Sequence, residues 1–125
     1  MEPLVGLRAK IERAVSTGDT AEALGSGDVP VLATPRLIAW LEAATVSALD
    51  GHLGPGITTV GVSVDVRHRA PSPIGEVVVV RAHLVRQDGR RIEFAVEAES
   101  AAGKRLAEGS VARAIVERVR FLAGL

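Results

Sequence analysis

The sequence predicts an α+β fold: an antiparallel sheet wrapped around one long central helix. Three observations lead there. Residues 34–50 carry helix punctuation and an almost unbroken apolar surface. After Gly56 the chain alternates apolar and polar residues with period two, interrupted by turn residues. The 125 residues, 47% hydrophobic and 24% charged, are one domain's worth of chain with material for a real core, so residues 1–125 read as a single domain.

In residues 7–14, Leu7, Ala9 and Ile11 share one parity and Arg8, Lys10 and Glu12 the other, as in a half-buried strand. Residues 15–33 hold Gly18, Gly25, Gly27 and Pro30 with little periodicity. They read as a long connection with a short helical piece at Thr20–Leu24, and a connection of this length suits a lid or binding loop. Thr34 is placed as the helix N-cap, with Pro35 at the first helical position and Asp50-Gly51 as the stop. Between Leu37 and Leu49 the helix is apolar nearly all round, so it should be buried on most sides.

The strands fill residues 57–120. Val60, Val62, Val64, Val66 and His68 share one parity of the first, opposite Thr59, Gly61, Ser63, Asp65, Arg67 and Arg69. A Pro/Gly turn over 71–75 leads to 77–86, Asp88-Gly89 makes a hairpin to 91–99, and Ala102-Gly103 turns into a last strand over 104–120 with a bulge at Gly109. Four consecutive antiparallel strands are expected. The helix should lie on the face made by Val60–Val66, Val78–Leu84 and Ile92–Ala98. One sheet face cannot cover a helix greasy on every side, so a second copy of the chain is expected to complete the cover as a homodimer.

Composition excludes several chemistries. Fifteen Lys+Arg balance fifteen Asp+Glu, which gives no electrostatic reason to expect nucleic acid or an anionic membrane as partner. The absence of cysteine removes thiolate metal sites and cysteine nucleophiles. Three histidines on separate elements show no metal spacing, and no phosphate-cradling loop or G-x-S-x-G elbow occurs. No membrane span or signal segment shows, and a cytoplasmic protein is expected.

Glu42 is the sole carboxylate between Pro35 and Leu49. Its helical neighbours Ile38, Ala39, Thr45 and Val46 offer no cation. Such a carboxylate should be unpaired and partly desolvated, fit for a base or nucleophile, unless it lies on a wet edge. His68 sits on the core parity near its strand's end, where a satisfied core histidine is the plainer reading. Thr34 is explained by capping, yet its hydroxyl and the helix N–H groups could also face a polarised oxygen. Arg36 could meet a phosphate. His83 lies on the polar parity, and His52 follows the helix end, where a cation favours the helix dipole.

The stretches A-T-P-R-L-I-A-W-L-E (Ala33–Glu42) and T-V-G-V-S-V-D-V-R-H-R-A-P-S-P-I-G (Thr59–Gly75) resemble the hotdog thioesterases of the fluoroacetyl-CoA thioesterase kind. The resemblance implies a hotdog fold, hydrolysis of a short or small acyl-CoA thioester, and catalytic roles for Thr34, Glu42 and His68. Gly61 matches a family glycine, and Gly61, Arg36, Arg67 and Arg69 are the expected substrate contacts, the arginines toward the CoA phosphates. No metal or cofactor is expected, since CoA belongs to the substrate. The family's fluoroacetyl-specific enzyme has a phenylalanine lid before its threonine, whereas residues 15–33 here contain no aromatic. Thr34 and Glu42 are roughly 12 Å apart along an ideal helix. Either the first turn is irregular or the site combines groups from two protomers, and the interface is the favoured reading. The reading from a different class is a non-catalytic module of the same fold that binds CoA or a small hydrophobic ligand.

Overall fold

The structure, a computed structural model, describes residues 3–125, so the first two residues of the expected domain lie outside the described part. The chain runs β1 (Arg8–Ala14), a 3₁₀ turn (Thr17–Asp19), α1 (Ala21–Leu24), α2 (Thr34–Leu49), β2 (Ile57–His68), β3 (Val77–Asp88), β4 (Arg91–Ser100), β5 (Arg105–Glu117) and α3 (Arg118–Ala123). The five strands form one antiparallel sheet in the order β1-β3-β4-β5-β2. It wraps around α2, the hotdog architecture.

The order corrects the expected run of four sequential neighbours. Only β3, β4 and β5 are joined as hairpins, while β2 crosses to the far edge and pairs with β5. The Pro71–Gly75 segment is therefore part of a crossover and not a hairpin turn. Leu32 N–H donates to the Ser72 carbonyl across 2.9 Å, which ties this crossover to the 15–33 connection. The final strand also stops earlier than expected, because residues 118–123 coil into α3.

The core is the concave face of β3 and β4 against α2. Val78, Val80, Ala82 and Leu84 meet Ile92, Phe94, Val96 and Ala98, and the helix covers them with Leu37, Trp40, Leu41, Ala44 and Ala48. The valines of β2 do not join as expected. A bulge between Gly61 and Ser63 inserts one residue, Val62, into the strand. Ahead of it Thr59 and Gly61 sit opposite Ile115 and Arg113; beyond it Val64, Val66 and His68 sit opposite Val111, Gly109 and Ala107. Opposite residues share a face, so the bulge moves the inward parity from odd to even. Val62 and Val64 remain exposed at the sheet edge.

Gly109 is no bulge. It is a close approach: a Cβ there would lie 2.1 Å from the Asp65 carbonyl oxygen. Nor is α2 buried on most sides within one chain. Its outer stripe, with Ala39 and Val46, faces out, and Val46 is 51% exposed. Among the described residues no helix is long and apolar enough to cross a membrane.

Candidate active site

The N-terminus of α2 departs from the expected cap. Ala33 holds the N-cap position without a side-chain bond, and Thr34 is the first helical residue, followed by Pro35. The Thr34 hydroxyl is thus free of capping and meets His68 instead, with Oγ1 2.8 Å from Nδ1. His68 is half-buried at the end of β2. Burial holds its imidazole below the ordinary 6.5, against an opposing backbone contact from Ala70, so the ring favours its neutral form. Its Nε2 is buried without a hydrogen-bond partner in this chain. The pair opens on a cavity of about 300 Å³ lined by Val29, Val31, Ala70 and Pro71. The 15–33 connection is therefore a wall beside Thr34 and His68.

Two turns along the helix, Glu42 is not unpaired. Arg113 of β5 donates Nη1 to Oε2 across 3.2 Å, with the guanidinium 8% and the carboxylate 36% exposed. Thr59 fixes Arg113 from the other side: Nε donates to its Oγ1 at 2.9 Å and Nη2 to its carbonyl at 3.3 Å. Burial lowers the Arg113 guanidinium from its usual range, and the Glu42 charge opposes this. Gly61 completes the arrangement. A Cβ at Gly61 would stand 2.5 Å from Glu42 Oε2, so only glycine leaves room for the carboxylate where it lies.

Sequence reasoning missed Arg113 and Thr59. A signal was present: Arg113 shares the parity of Val111 and Ile115, so a cation was aimed into the core and needed a partner. The predicted arginines all have carboxylate neighbours. Arg36 Nε lies 3.0 Å from Asp19, Arg69 is paired with Glu108, and the exposed Arg67 is 3.8 Å from Asp65. Of these, Arg69 lines the cavity beside His68. Among the described residues no cluster of three His, Asp or Glu side chains could hold a metal.

The predicted trio thus falls into two groups, Thr34–His68 and Glu42–Arg113–Gly61. They sit at opposite ends of one stretch of β2 and roughly 12 Å apart along α2. A family model described as FlK, fluoroacetyl-CoA-specific thioesterase, matches residues 15–119, which include every residue of both groups. The chain belongs to the fluoroacetyl-CoA-specific thioesterase family. Its similarity to the fluoroacetyl-CoA thioesterase of Streptantibioticus cattleyicolor is 32% identity over 91 residues, 73% of this chain and 65% of that relative, a little under two thirds of the relative's length. A Thermus thermophilus member of the thioesterase superfamily superposes with a TM-score of 0.91 at 28% identity, over 98% of this chain and 91% of that one. A variant of the thioesterase FlK in complex with fluoroacetate and CoA superposes with a TM-score of 0.85 at 29% identity, over 97% and 99% of the two chains. In this family member the 15–33 connection lends Val29, Val31 and Leu32 to the cavity wall beside Thr34 and His68, and no aromatic.

Proposed function

We propose that this protein hydrolyses a small acyl-CoA thioester to the free acid and CoA, at sites formed between two copies of the chain. The observation that carries the reading is the division of the site. A hydroxyl–imidazole pair and an arginine-held carboxylate lie on the same helix and strand, too far apart to meet within one chain.

The edge strand supplies the means of joining them. β2 has one unpaired side, with Val62 and Val64 exposed along it. Antiparallel pairing of β2 with its own copy around a two-fold axis at Asp65, with the bulged Val62 left out of the pairing, sets Gly61 of one protomer opposite His68 of the other. Glu42 then meets the partner subunit's Thr34 and His68, twice per dimer.

In such a site Glu42 either draws a proton from water as that water attacks the thioester carbonyl, or attacks it directly and is freed by water in a second step. The N–H groups at the start of α2 and the Thr34 hydroxyl stabilise the developing oxyanion. The C–S bond then breaks, and the departing CoA thiolate takes its proton through His68, whose neutral form at pH 7 lets it accept and pass on a proton. Arg113 holds the carboxylate in place. Arg69, Arg67 and Arg36 are the proposed contacts for the CoA phosphates, Arg69 foremost because it lines the cavity. Neither route needs a cofactor, and the compartment we propose is the cytoplasm.

The test is release of free thiol from a panel of acyl-CoA substrates by the wild type and Glu42→Gln. We expect a fall in turnover of about 10²-fold or more with the dimer intact. Undiminished hydrolysis of every accepted substrate by the variant would overturn the reading. Saturable CoA binding with no hydrolysis across the panel would establish a binding module instead.

A further inference from the structure

A groove of about 480 Å³ lies between the C-terminal half of α2 and the start of β2, beside the Glu42 group. Ala43, directly after Glu42, and Thr59, which holds Arg113, form its near end. Val46, Leu53 and Ile57 continue it, and Asp50 closes the far end. No cation lines it, and the carboxylate at its end would repel the phosphates of CoA. Val46, Leu49, Leu53 and Ile57 give the groove an apolar strip between the polar Ser47, Thr58 and Thr59, and with no cation in it that strip suits a short hydrocarbon chain better than the nucleotide.

We infer that this groove takes the acyl chain of the substrate, and that the preferred acyl groups are unsubstituted chains longer than acetyl. The inference deepens the thioesterase reading and rests on it. Along the helix Val46 stands about 6 Å and Asp50 about 12 Å beyond Glu42, so a chain of about four to six carbons reaches Val46 and ends short of Asp50. Val46 is the specificity-determining side chain, because it is half-exposed on the outer stripe of α2 and projects into the groove one turn beyond the carboxylate. The wall beside Thr34 and His68 agrees with this, since it has no aromatic ring to confine the site to a two-carbon group.

Two series test it. In the first, kcat/KM is measured for acetyl-, butanoyl- and hexanoyl-CoA; in the second, affinity is measured calorimetrically for S-methyl-, S-butyl- and S-hexyl-CoA, which cannot be hydrolysed. The wild type should gain about fourfold per added methylene until the groove is full. Val46→Phe should lower the hexanoyl-to-acetyl ratio by at least about tenfold, whereas the same change at the exposed Val85 on β3 should leave the ratio as it was. A flat chain-length profile in the wild type, or one unaltered by Val46→Phe, overturns the groove assignment. So does conversion of Val46→Phe to a monomer, which would make the groove a subunit contact. Thioether affinity that climbs with chain length and falls in Val46→Phe, without turnover of any thioester, would keep the groove and remove the hydrolase reading.

Discussion

Gly61 and Glu42 show how one missing methyl group sets a site. In Gly61→Ala the new Cβ would push against a carboxylate oxygen, the far end of a side chain that can rotate away. The expected result is a loss of turnover of about tenfold or more with thermal stability changed by less than about 1 kcal/mol, read from kinetics and melting on the same sample. A matching loss of stability would show that Gly61 serves the fold and not the carboxylate. His68 gives a pH dependence. Its folded-state value lies below 6.5 because burial disfavours the imidazolium, so the unfolded chain binds the proton first as pH falls. The stability tied to neutral His68 is complete above 6.5 and is lost as pH drops from there through the lowered value. Melts between about pH 5 and 8 should show a shallower fall for His68→Gln than for the wild type, and equal slopes would remove desolvation as the cause. At this scale Thr34, Glu42, His68 and Gly61 were legible because hydroxyl, carboxylate, imidazole and glycine stand out against apolar neighbours. Their partners were not. Helical spacing reports only neighbours along α2, and Arg113 reaches Glu42 from another strand, 71 residues away.

Elements were legible where period and punctuation agree. Pro35 and Asp50-Gly51 bracket α2, and Asp88-Gly89 marks the β3–β4 hairpin. The bulge at Val62 was not. Every even position from Val60 to Val66 is valine, so an inserted residue leaves no break in the pattern, and side-chain identity alone cannot tell which valines face in. The placement of β2 beside β5 was hidden for a similar reason. Residues 69–76 are short and carry two prolines, which reads as a turn, whereas the pairing partner lies far along the sequence. Gly109 is where that pairing is tightest. Gly109→Ala drives a Cβ against the backbone of Asp65 and Val66, which cannot rotate aside, so a loss of about 3 kcal/mol or more is expected in denaturant unfolding. A mild effect would mean that the β2–β5 register can shift. The two glycine variants form a contrasted pair, one meeting a flexible side chain and the other a backbone.

For the whole molecule, the apolar surface of the helix was read as more than one sheet could cover, and the exposed stripe of α2 accords with that reading. Val62→Lys puts a cation on the free edge of β2, close to the partner subunit's Arg67 in the proposed pairing. Sedimentation should show a shift toward monomer, with activity falling in parallel. A fully active monomer would refute a shared site. The separation of Thr34–His68 from Glu42–Arg113 has one more consequence, which concerns genetics as much as chemistry. Two inactive proteins, Glu42→Gln and His68→Ala, would each carry the half that the other lacks. Unfolded, mixed in equal amounts and refolded together, they would reassort at random; half of the dimers would be hybrids, each with a single intact centre. Such a mixture would regain about a quarter of the wild-type rate, although neither parent has any.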